Sequence, residues 1–226
     1  MGVNQSDSMK NLKLTLSLFL LCLAFATCKK DKGMPTVTDV DGNVYHTVKI
    51  GTQTWMVENL KTTHYKDNTP ITPITDNTLW KNAITPGYCW YDNDINNKIP
   101  YGALYNWYTV NTGKLAPEGW HVPSAAEWQT LIAYLGGITE AGGKLKEEGT
   151  MHWNSPNVGA TNESKLSFVG SGLRSYLDGS FGTKGSRSFN YCSTNSSFVR
   201  ISFDEPAVIT GAVPPAMGYS VRCIKD

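Results

Sequence analysis

"GWHVPSAAEW", residues 119 to 128, sets two readings against each other. A histidine beside a helix start suits a catalytic base, and the same residues also suit a chain corner. Ser124 and Glu127 stand at S-x-x-E spacing, the pattern of a capping box. In it the serine oxygen accepts an orphan backbone N–H and the glutamate reaches back to the cap. Pro123 stops any helix that precedes it. Trp128, Leu131, Ile132 and Leu135 follow at i, i+3, i+4 and i+7, which places them on one helical face. Gly136 and Gly137 end the run. Every residue of the stretch has a structural task, and no Cys, Asp or second His stands at ligand spacing from His121. The expectation is a strand ending near Val122, a corner, and an amphipathic helix, with His121 partly buried and structural.

On the N-terminal side, Val37 and Val40 lead into Asp41-Gly42-Asn43, a turn signal between short β-rich runs. Val44, His46, Val48 and Ile50 alternate with their neighbours, Gly51 turns the chain, and Trp55 and Val57 follow. Residues 61–100 are rich in Asn, Thr, Pro and Asp, with Trp80, Trp90 and Tyr91 embedded, and read as a long loop region. "GALYNWYTV" (102–110) reads as a short helix with Leu104, Trp107 and Tyr108 on one face. A second short helix is expected over Lys144 to Glu148. Beyond it "KLSFVGSGLRSY", "SRSFNYCST", "SFVRISF" and "GYSVRCIKD" alternate apolar and polar residues between Gly and Ser turns. Two helices early, strands late and long loops between them define an α+β chain with an antiparallel sheet.

Lys and Arg number 20 against 19 Asp and Glu, a balance that gives no electrostatic footprint for nucleic acid. At the N-terminus, Lys10 and Lys13 precede an apolar run from Leu14 to Ala26. That run is shorter than the ~20 residues a membrane-spanning helix needs, and a basic start before a short apolar core reads as a signal peptide. Cys28 closes the run. "FATC" resembles a bacterial lipobox, in which the cysteine sulfur takes a diacylglyceryl group and becomes the new N-terminus. Residues 1–27 are therefore read as a lipoprotein signal, 28–36 as the lipidated cysteine with its tether, and 37–226 as the folded domain. The expected partner is the membrane, through the lipid, at the bacterial envelope. The alternative is an ordinary cleaved signal that leaves Cys28 a thiol.

With Cys22 in the signal and Cys28 on the lipid, Cys89, Cys192 and Cys223 remain, and at most one pair can form. The histidines at 46, 64, 121 and 152 show no H-x-x-x-H or H-E-x-x-H spacing, and no G-x-S-x-G or phosphate-binding loop is present. "DNDINN" (92–97) crowds oxygen donors, so Asp92, Asp94 and Asn96 are candidate ligands of a structural calcium. Asn97 and Ala103 fall where an EF-hand needs glycine and glutamate, and the other reading is a polar Asx turn.

"VKIGTQTWMVENL", "CWYDND", "YGALYNWYTV", "PEGWHVPSAAEW", "HWNSPNVGATNES" and "GYSVRCIKD" together resemble the Fibrobacter succinogenes major paralogous domain, in the family's order, from about Val37 to Asp226. That family occurs in secreted and lipid-anchored bacterial proteins and brings no catalytic residues to carry over. The resemblance implies a C-type-lectin-like fold related to the formylglycine-generating sulfatase-modifying group, with two short helices, twisted antiparallel sheets and long loops. "VPSAAEW" resembles that group's "LPTEAEWE". The paired copper-binding cysteines of that group have no counterpart here, since Cys192 and Cys223 lie 31 positions apart. The resemblance also implies that a cysteine at the position of Ala116 would pair with Cys223.

These readings lead to a non-catalytic module that binds a glycan or protein ligand, with Trp80, Trp90, Asp92 and Asp94 as candidate contacts. Sugar rings stack on aromatic faces while carboxylates accept hydroxyl hydrogen bonds. The alternatives are an enzyme related to the formylglycine-generating group and a purely structural envelope component.

Overall fold

The structure, a computed structural model, describes residues 33–226. The signal segment, Cys22, Cys28 and the tether up to residue 32 lie outside the described residues. Among the described residues no helix is long and apolar enough to cross a membrane.

The chain folds into strands β1 (Thr36–Thr38), β2 (Val44–Ile50) and β3 (Gln53–Met56), then helix α1 (Asn77–Lys81) and β4 (Tyr88–Cys89). Next come α2 (Lys98–Tyr101), β5 (Leu104–Tyr105), α3 (Trp107–Val110), β6 (Trp120–His121), α4 (Ala125–Tyr134) and α5 (Ala141–Leu145). Strands β7 (Ser171–Arg174), β8 (Phe181–Lys184), β9 (Arg187–Tyr191), β10 (Ser197–Ser202), β11 (Val208–Ala212) and β12 (Ile224–Lys225) complete it. One five-stranded sheet has the order β1-β2-β3-β12-β6, a second has β11-β10-β9-β7-β8, and β4 pairs with β5. All pairings are antiparallel except β7 with β9. The protein is mixed α and β, mostly sheet, with few short helices.

The corner at residues 119–128 forms as expected. Ser124 caps α4, its side chain accepting from Glu127 N while the Glu127 carboxylate accepts from the Ser124 backbone. Trp128, Leu131, Ile132 and Leu135 are all buried, and Gly136 and Gly137 end the helix at φ 100° and 91°. The β1–β2 hairpin turns at Gly42, whose φ of 79° suits glycine.

Three expectations need correction. Residues 102–110 split into β5 and the one-turn helix α3, because Asn106 caps the helix by accepting from Thr109 N. α5 is one turn, ending at Leu145 instead of Glu148. In β2, of the alternating set Val44, His46, Val48 and Ile50, only Ile50 is buried and Val48 is half-buried, while the neighbours Tyr45 and Thr47 are buried. Tyr45 is drawn inward because its hydroxyl donates to Asp39 at 2.6 Å.

Long loops between short elements leave many carbonyls to satisfy. Three buried cations meet that need. Arg174 donates to Gly179 O, Ile74 O, Thr75 O and Asn77 Oδ1. Arg222 donates to Asn59 Oδ1 and Leu166 O. Lys146 Nζ donates to Val158 O, Ser202 O and Glu205 O at 2.7, 2.8 and 3.1 Å. Each cation ties together segments far apart in sequence.

Candidate functional site

His121 sits between two carboxylates. Nδ1 lies 2.6 Å from Asp226 Oδ1 and Nε2 lies 2.9 Å from Glu127 Oε1. The other Glu127 oxygen accepts from Ser124 N and Ser124 Oγ, both at 2.8 Å. Partial burial opposes the imidazolium, but the hydrogen bonds to Asp226 and Glu127 outweigh it and raise the His121 pKa. Burial likewise opposes the Glu127 carboxylate, and Ser124 and His121 hold its pKa below the ordinary value. An imidazolium that donates from both nitrogens has no lone pair for general base work. The clip fastens the start of α4 to the C-terminus. Each of the other histidines meets one carboxylate, through Nδ1: His46 with Glu58, His64 with Asp41 and His152 with Glu147, at 2.6, 2.6 and 2.8 Å.

The residues expected to contact ligand in the 61–100 region are not one surface. Trp80 is fully buried, with the Arg174 guanidinium 4.5 Å above its ring, so its expected role as an exposed stacking platform is corrected. Trp90 is half-buried, packs edge-on against Tyr88 and lies 5.7 Å from Lys98 Nζ. Asp92, Asp94 and Asn96 are exposed. Asp94 Oδ1 accepts from Asn96 N in an Asx turn, and an Asp92 oxygen lies 4.0 Å from Lys184 Nζ. Among the described residues no three His, Cys, Asp or Glu side chains gather as metal ligands do.

Cys89, Cys192 and Cys223 are all buried free thiols, so no pair forms among the three candidates. Cys192 and Cys223 pack in separate cores, the latter with Ala116. Burial pushes the Cys89 and Cys192 thiols up to about 12 and about 11, and raises Cys223 as well. Neutral, enclosed thiols are poor nucleophiles.

The structure brings together a different set. Between α4 and the β10–β11 hairpin lies a groove of about 320 Å³. Trp128, Ile132, Cys192 and Val199 form its buried floor, and Ala125, Gln129, Thr194, Ser197, Thr210 and Ala212 its rim. Among the described residues no charged side chain lines it. Trp128 Nε1 is buried with no hydrogen-bond partner among the described residues, which is uncommon for an indole N–H in a protein interior. Asn195 and Ser196, in the turn entering β10, have φ of 47° and 51°, a conformation uncommon outside glycine. A larger groove, about 640 Å³, crosses the first sheet beside Met34, Trp120 and Lys225, and among the described residues no unpartnered buried side chain lines it. The spacing of Trp128 and Ile132 placed them on a buried face. Nothing local in the sequence placed Thr210 and Ala212 across from them.

A mostly-sheet α+β chain with an uncharged groove and clipped histidines defines the class. The chain matches the Fibrobacter succinogenes major domain over residues 48–225 and belongs to that family. It matches no curated protein and no solved structure.

Proposed function

We propose that this chain is a non-catalytic binding module that seats a glycan or protein ligand in the groove between α4 and β11. The observation that carries the reading is the groove itself: an apolar floor, a rim of hydroxyl and amide groups, and no charge among its lining residues. Its size and chemistry fit a ligand site. An uncharged lining offers no acid, base or activated nucleophile, which favours retention over turnover. We also propose that the module is held at the bacterial envelope by a lipid on Cys28. The lectin-like arrangement implied by the sequence is part of this reading. It is supported by the meeting of β12, from the C-terminus, with β3, from the N-terminal hairpins.

The test is to expose the full chain, purified in detergent, to glycan and peptide arrays, while products are followed by mass spectrometry. Retention without product, weakened in a Gln129→Trp variant that fills the groove rim, supports the reading. Steady product formation, or retention unaffected by Gln129→Trp, refutes it. Fractionation tests the anchor: Cys28→Ala releases the protein from the membrane if the anchor is there.

A further inference from the structure

The groove opens onto an unpaired sheet edge, and the hydrogen-bond parity of that edge is fixed. Cys192 N donates to Ser197 O and Phe203 N donates to Ser186 O, so residues 197, 199, 201 and 203 of β10 and its continuation face β9. Residues 196, 198 and 200 therefore face β11, in agreement with Val213 N donating to Ser196 O. On β11 it follows that Ile209 and Gly211 turn their amides toward β10, while Val208, Thr210 and Ala212 turn theirs outward. Val208 N confirms the direction, because it donates away from the ladder to Ile138 O. The chain at Ile138 thus takes the first outward position. No backbone or side-chain partner meets the amides of Thr210 and Ala212 among the described residues.

This edge lacks the usual protection. Edge strands commonly carry charged side chains or proline, and β8, at the far end of the same sheet, ends in Lys184. β11 reads Val-Ile-Thr-Gly-Ala, with prolines only outside it, at 206, 214 and 215. Thr210 and Ala212 are small and exposed. They lie on the face that carries Val208, Val199 and Ile201, all buried in the core beneath α4.

We infer that the ligand is an extended peptide segment of a partner protein, which adds a sixth strand beside β11. This deepens the binding-module reading and rests on it. The incoming strand exchanges backbone hydrogen bonds with Thr210 and Ala212. Alternate side chains then enter the groove. The uncharged lining selects apolar or small polar side chains there and rejects charged ones, which would be desolvated without a counter-charge. Donors and acceptors alternating at strand spacing match a peptide backbone better than a sugar ring.

The probe is an immobilised array of random heptapeptides, read with the full chain in detergent and beside a glycan array. Peptides that alternate uncharged apolar residues should be retained. Methylating the backbone nitrogens of a retained peptide one at a time should weaken binding at least tenfold at every second position and little between. Ala212→Pro removes one outward N–H without touching the β10 ladder and should also weaken binding at least tenfold, with an unchanged thermal transition. Should that variant fail to fold, the methylation scan alone decides. Loss on Gln129→Trp together with a flat methylation scan would keep the groove and overturn strand addition. Retention of glycans alone would overturn it too, as would retention of no peptide. A dimer that dissociates in Ala212→Pro would assign the edge to a second copy and equally refute the inference. Peptide binding unaffected by Gln129→Trp and Ala212→Pro alike would refute both readings.

Discussion

Replacing Lys146 by methionine tests whether buried cations hold the loops. Lys146 is fully buried, and burial pulls its pKa down from 10.5 to about 8 against the opposing pull of Asp204 and Glu205. At neutral pH it is charged and donates to three carbonyls. Methionine keeps the length of the side chain and removes the donor. Each buried carbonyl left unpaired costs about 1–3 kcal/mol. Relief of a charge whose pKa is depressed by two to three pH units returns about 3 kcal/mol at 1.36 kcal/mol per unit. The net expectation is a loss of about 3 kcal/mol at pH 7. The pH dependence has a definite sign. Between about pH 8 and 10.5 the unfolded chain holds a proton that folded Lys146 has released. Stability from this group therefore rises with pH through that window. The methionine variant lacks this group, so the gap between the two proteins widens from pH 8 to 10.5. Urea unfolding at pH 7, 8, 9 and 10 measures it. A methionine variant as stable as the parent, or a gap that narrows as pH rises, would refute the reasoning.

Three further outcomes follow from the same geometry. His121→Asn should cost about 0.5–1 kcal/mol near pH 5.5, as expected for a partly exposed ion pair. Because the folded pKa of His121 is raised, that loss is fully present below the unfolded value and fades as pH climbs through the folded one; paired unfolding curves at pH 5.5 and 9 check it. Trp80→Ala should lower stability by about 3–5 kcal/mol, since the ring is fully buried under Arg174, and calorimetry reads the change. Cys89, Cys192 and Cys223 should resist iodoacetamide in the folded protein and react in denaturant, as peptide mapping would show.

The contrast between what the sequence revealed and what it hid has a physical basis. The capping box at Ser124 and Glu127 and the buried face of α4 were legible because their partners lie within one to three helical turns. The clip on His121 was half legible: Glu127 is six residues away, but Asp226 is 105. Trp80 lies among polar residues and reads as exposed. Its cover, Arg174, arrives from 94 positions downstream. Strand β11 went unrecognised because "VITGA" is short and lacks the two-residue alternation of a half-buried strand. β8 carries glycine and ends in an exposed lysine. The groove needed the pairing of β10 with β11 under α4, a relation with no local signal. Fold class and family came from patterns spread along the chain, whereas the site came from contacts between its distant parts.

Hydrogen–deuterium exchange with residue-level resolution on β11 tests the central claim most directly. In the free protein the Ile209 and Gly211 amides, bound to β10, should exchange slowly, and those of Thr210 and Ala212 should exchange fast. With a saturating peptide selected from the array, Thr210 and Ala212 should become protected. Protection confined to the 61–100 loops, or no change on β11, would contradict the account.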